Sequence, residues 1–136
     1  MPMALTIDLT DQDNYWTLRV DGELAYDEAA RFRMALDRIL SSPNCSVLLD
    51  LSCVAYMDSS ALGLLLSFNK KCTTQGGSVV LITGPITDRL LELTRLSAVF
   101  PQAESREAAL LMLPEPVREY GRSDGIANRL AAMEAE

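Results

Sequence analysis

Residues 57 to 63, Met57-Asp58-Ser59-Ser60-Ala61-Leu62-Gly63, place one carboxylate and two hydroxyls at the head of a leucine-rich run. Three chemistries suit such a triplet. Side-chain oxygens at a helix start can accept the orphan backbone N–H groups of the first turn, as caps do. A serine can be a nucleophile when a base takes its proton. A serine at the end of a rigid element can also receive a phosphate from another protein, which adds about −1.5 to −2 charge there. The nucleophile finds little support, because the chain has no histidine to serve as base. The G-x-S-x-G elbow also fails, since Met57 and Asp58 stand where its first glycine belongs. No P-loop exists either: Gly76-Gly77 leads into a strand-like run and no G-K-[ST] follows. A small-anion site at the helix start would want a Gly-rich cradle or a basic ring, and the sequence offers neither. The cap and the phosphoacceptor both stay open. Three polar residues in a row, after Val54, Ala55 and Met57, are more than one cap requires.

The elements that must hold this triplet can be read from periodicity. Residues 3–9 and 15–20 alternate and flank the turn formers "TDQDN", which predicts a β-hairpin. "DGEL" follows as a Gly-marked corner. Residues 27–40 have helical spacing at Ala29, Phe32, Leu36, Ile39 and Leu40, with Asp27 as the expected N-cap and "SSPN" as the stop. Residues 46–51 are mostly continuous apolar, as a strand covered on both faces is, and 79–82 is the next such run. The 26 residues between them suffice for a helical crossover, ended by "QGG". A helix beginning at Pro85, a short strand over 98–100 and a closing helix over 105–113 capped by Ser105 complete the order. The fold class is α/β, a mixed sheet of four to five strands with four to five packed helices.

The chain's 136 residues make one ordinary domain with a real core. Its net charge of −7 argues against nucleic acid and against anionic membrane surfaces, and suits a protein partner with a basic face. Cys45, Cys53 and Cys72 form neither a disulfide framework nor a zinc set, so they are expected as reduced thiols of a cytoplasmic protein. The N-terminus lacks the marks of a signal peptide, and no apolar run is long enough to span a bilayer. The compact domain is expected over 1–113. The remainder, 114–136, is richer in Pro and Gly, with Ile126, Leu130 and Met133 spaced for a short amphipathic helix or else left without structure.

The stretch "VLLDLSCVAYMDSSALGLLLSF" resembles the signature of the STAS domain as found in bacterial anti-sigma factor antagonists. There an apolar strand ending in Asp-Leu and a short linker precede Asp-Ser-Ser-Gly-Leu-Gly. The resemblance covers residues 4 to about 113, including "DGEL" and "GGSVVLITGPITDRLLELTRLSAVF". It implies the STAS fold and a regulatory protein that catalyses nothing and carries no cofactor. By that resemblance Ser59 is the phosphoacceptor. Asp58, Ser60, Met57, Ala61, Leu62, Gly63 and Leu64 join Glu23 and Tyr26 in a partner-binding surface. The implied partners are an anti-sigma factor that is also a serine kinase, and a serine phosphatase that resets the switch. The protein itself would be a monomer or weak homodimer. The unmodified form would bind the anti-sigma factor and free a sigma factor. The alternative is a constitutive STAS interaction module in a transporter or signalling scaffold, with Ser59 only a cap. Two positions depart from the family pattern. Ala61 replaces the motif's glycine and would put its methyl at the contact corner. Ala25 stands where many antagonists carry an acid after Gly-Glu-Leu, with Asp27 two residues on.

Overall fold

A computed structural model describes residues 4–114. Its sheet has five strands in chain order: β1 (Thr6–Asp11), β2 (Trp16–Leu24), β3 (Val47–Met57), β4 (Val79–Ile82) and β5 (Gln102–Ala103). The β1–β2 pair is antiparallel, as the hairpin predicts, and every later pairing is parallel. The crossovers are α1 (Ala29–Leu40), α2 (Ser59–Thr74) and α3 (Pro85–Leu93), and α4 (Arg106–Leu111) closes the domain.

The period of two in the strands divides the core. Trp16, Leu18 and Val20 of β2, Val47, Leu49 and Leu51 of β3, and Val79 and Leu81 of β4 face α1 and α2. Phe32, Leu36 and Ile39 of α1 and Leu65, Phe68 and Cys72 of α2 meet them at helical spacing. The alternate residues Leu48, Val80, Ile82 and Ala103 face the other way, where Ala109 and Leu113 of the closing helix cover them. β4 and the first three residues of β3 are therefore buried on both faces, which explains the apolar runs Val79–Ile82 and Val47–Leu49.

Several boundaries differ from the sequence expectation. β1 runs on to Asp11, because Thr10 and Asp11 of the expected turn pair with Thr17 and Trp16, and α4 stops at Leu111, short of the expected residue 113. "DGEL" is no corner: it continues β2 to Leu24 through two irregularities, between Arg19 and Asp21 and between Gly22 and Glu23. Gly22 takes φ +101° there, and a side chain would strike the carbonyl oxygen of Ala4. Asp27 is no N-cap, because a single 3-10 turn (Tyr26–Glu28) precedes α1 and Glu28 takes the capping place without a side-chain bond. No linker separates the apolar strand from the serines. β3 runs eleven residues to Met57, its polar Ser52 tied back to Asp50 Oδ1 by both its N–H and its hydroxyl. The last strand lies at Gln102–Ala103, after a turn that occupies 98–100. Ser105 caps α4 as expected, accepting from the N–H of Ala108 at 3.1 Å. The expected extension over 114–136 lies, from residue 115 on, outside the described residues.

The thiols are free. Cys45 and Cys72 are buried and each donates to the other's carbonyl oxygen, Cys72 at 2.9 Å and Cys45 at 3.5 Å. Burial pushes the Cys72 thiol far above its ordinary pKa, and the Cys45 side chain beside it pushes the same way. Cys53 is exposed.

Candidate functional site

The parallel register of β2 and β3 sets Glu23 beside Tyr56 and Leu24 beside Met57. Both strands end at the same level, and the chain turns there into α2. The backbone N–H of Asp58 donates to the carbonyl of Leu24 at 3.3 Å, tying the turn to the end of β2. Asp58 has extended backbone and caps α2: its Oδ1 accepts from the N–H of Ala61 at 3.1 Å, and its carbonyl accepts from Leu62. The capping function is thus discharged by one residue. Ser59, the first residue of α2, is exposed, and its hydroxyl makes no hydrogen bond among the described residues. Ser60 is half-buried and equally without a hydroxyl partner there.

The structure brings the two sequence segments together. Gly-Glu-Leu and Asp-Ser-Ser meet at one corner through the Leu24–Asp58 bond and the Glu23–Tyr56 pairing. Asp27, with Ala30, Arg33, Ser60 and Leu64, lines a groove of about 470 Å³ between the starts of α1 and α2. Asp27 thus shares a groove with Ser60, while Ala25 leaves the expected acid position without a carboxylate. Tyr26 opens the 3-10 turn at the same corner.

The expected partner-binding residues divide by exposure. Gly63 is exposed, and a Cβ built there would meet nothing within 4 Å. Leu62, Leu64 and Glu23 are half-buried. Ala61 is fully buried in the core, so its methyl lies away from the contact corner where the sequence expectation put it. The reason is its place in the first turn of α2, whose stripe of Ala61, Leu65, Phe68 and Cys72 faces the sheet. Met57 is buried as well and lines a second groove, of about 440 Å³, between the end of β3 and α3. Nothing in the sequence reading pointed to that groove. Its signal was present in Ile86, Leu90 and Leu93 at i, i+4 and i+7, apolar positions that look like a core stripe until Thr87 and Leu91 are found to be the buried pair.

Chemically the corner is a capped helix start with an exposed hydroxyl that no described residue engages, next in the chain to the carboxylate of Asp58. Among the described residues, no group of three or more His, Cys, Asp or Glu is placed to hold a metal ion, and no helix is long and apolar enough to cross a membrane.

Comparison with known proteins agrees with the fold. Residues 6–109 match the family model described as STAS domain. An anti-sigma F factor antagonist from Paenibacillus polymyxa is 28% identical over 113 residues, 82% of this chain and 97% of the relative. The crystal structure of an anti-sigma factor antagonist from Mycobacterium paratuberculosis superposes with a TM-score of 0.70 at 28% identity, over 83% of this chain and 97% of that one. The Bacillus cell fate determinant SpoIIAA in its phosphorylated form superposes with a TM-score of 0.57 at 18% identity, over 77% and 96% of the two chains, a likeness of fold.

Proposed function

The chain belongs to the STAS domain family, and from that premise we propose that it is an anti-sigma factor antagonist switched by phosphate on Ser59. In this reading the unphosphorylated protein binds an anti-sigma factor and so releases a sigma factor. That anti-sigma factor is also the serine kinase that modifies Ser59, and a serine phosphatase reverses the step. The protein itself catalyses nothing, and it works in the cytoplasm. The compact unit is residues 1–113.

One observation carries the proposal: Asp58 alone caps α2, so the exposed Ser59 hydroxyl beside it has no structural duty among the described residues. The naming of relatives as anti-sigma factor antagonists supports the choice of partner. The physics of the switch follows from the position. A phosphate at the start of a 16-residue helix is tolerated by the fold, because the helix N-terminus favours an anion. A partner pressed against the same corner meets roughly two new negative charges next to Asp58, and sealing them away from water costs several kcal/mol. Gly63 supports the same surface: glycine inside a helix costs about 1 kcal/mol against alanine, and here no packing in the domain requires it.

The test is Ser59→Asp against each purified anti-sigma factor of the host. The variant should fold as wild type and lose the anti-sigma factor that wild type binds. Equal binding by both proteins would instead favour a constitutive docking module, as in a transporter or scaffold, with Ser59 a bystander.

A further inference from the structure

The groove between the end of β3 and α3 is an exposed apolar surface with no covering element among the described residues. Tyr56 and Ile86 are half exposed (49% and 50%) and Leu93 is 68% exposed, far more than core positions of a helix or strand show. With Met57 and Leu90 these side chains make a nearly continuous apolar floor, and Arg89 is the single charged residue in the lining. Arg89 has no ion pair or hydrogen bond among the described residues. Large exposed apolar clusters with one fixed charge mark docking sites more often than idle surface. The openness that leaves Leu93 two-thirds exposed suits side chains of a macromolecule better than a small ligand, which needs most of its surface enclosed.

Two features define the occupant. The groove is continuous with the serine corner: Met57 forms its floor and is followed directly by Asp58 and Ser59, and Tyr56 is the cross-strand neighbour of Glu23. A partner seated on Ser59 therefore reaches the groove without leaving the surface. The unpaired Arg89 calls for a carboxylate among apolar side chains. A second copy of this chain fits poorly, since two bodies of net charge −7 repel.

We propose that this groove is the second half of the anti-sigma factor interface, receiving an apolar segment of that partner that carries an acidic side chain opposite Arg89. The inference rests on the function proposed above and extends it to α3. It makes Ile86 and Leu93 anchors that hold the partner, while Ser59 decides whether it is held.

The experiment titrates the purified anti-sigma factor that binds wild type with Ile86→Asp, Leu93→Asp and Arg89→Glu. Leu111→Asp on α4, 68% exposed and outside this groove, is the control. Circular dichroism and melting temperature establish that each variant folds, and Leu93→Ala replaces any that does not. The expected result is affinity at least tenfold lower for Ile86→Asp and Leu93→Asp, a clear loss for Arg89→Glu that Arg89→Lys largely restores, and no change for Leu111→Asp. Wild-type affinity in the groove variants, with binding lost in Ser59→Asp, would overturn the groove and leave the switch standing. If no anti-sigma factor binds wild type, the switch fails and the groove assignment with it. A dimer of the free protein that Leu93→Asp dissolves would overturn the assignment in favour of self-association.

Discussion

Replacing Asp58 by alanine isolates what the triplet does for the fold from what it does for a partner. The substitution removes the one side-chain acceptor of the first turn of α2, the 3.1 Å bond from the Ala61 N–H. Loss of an N-cap carboxylate costs about 1 kcal/mol, within a range of about 0.5 to 2. The freed N–H belongs to a residue buried in the core, so solvent repairs the loss poorly and the upper half of that range applies. For a domain of this size the melting temperature should fall by about 4 to 8 °C. An asparagine side chain at the same position keeps an acceptor oxygen with the same reach and loses only the charge that favours the helix dipole. Asp58→Asn should therefore cost no more than about 0.5 to 1 kcal/mol. Thermal unfolding followed by circular dichroism measures all three proteins. The reasoning is refuted if Asp58→Ala melts with wild type, because the serines would then be capping the helix and would not be free for modification. If Asp58→Asn melts like wild type yet is no longer phosphorylated, Asp58 also serves the kinase.

Three further outcomes are expected. Gly63→Ala should raise stability by about 0.5 to 1 kcal/mol, since the added methyl meets nothing, while weakening partner binding, because that methyl stands on the proposed contact surface; calorimetric titration beside a melting curve reads both. Gly77→Ala should destabilise by about 1 to 3 kcal/mol, because its Cβ would lie 2.5 Å from Cys45 Sγ and 2.7 Å from Cys72 Sγ, and Cys72→Ala in the same chain should recover part of that loss. In a colorimetric thiol assay only Cys53 should react promptly in the native protein, with Cys45 and Cys72 appearing on denaturation, as their burial and the raised pKa of Cys72 require.

Much of this was legible in the residues. The mostly apolar run 46–51 and the run 79–82 announced parallel strands because burial on both faces leaves little polar alternation to confuse the pattern. The helix head at Asp58 was legible because capping chemistry is local. The extent of β3 was not, since Ser52 and Cys53 read as a loop and only pairing with the irregular end of β2 holds them in the sheet. Two-residue β5 carries no period at all. The burial of Ala61 was hard to read because Leu62, Leu64 and Leu66 surround the stripe of Ala61, Leu65, Phe68 and Cys72, so the start of α2 is apolar on more than one face and only packing selects the inner one. The groove was hidden for a related reason: α3 has apolar residues on two stripes, and packing alone decides which faces inward.

The most direct test of the central claim is to incubate the protein with its anti-sigma factor kinase and ATP, then map phosphate by mass spectrometry in the bound and released fractions. The account predicts phosphate on Ser59, none on Ser60, and phosphorylated protein confined to the released fraction. Phosphate on Ser59 in protein that stays bound, or no phosphate on Ser59 at all, would contradict it.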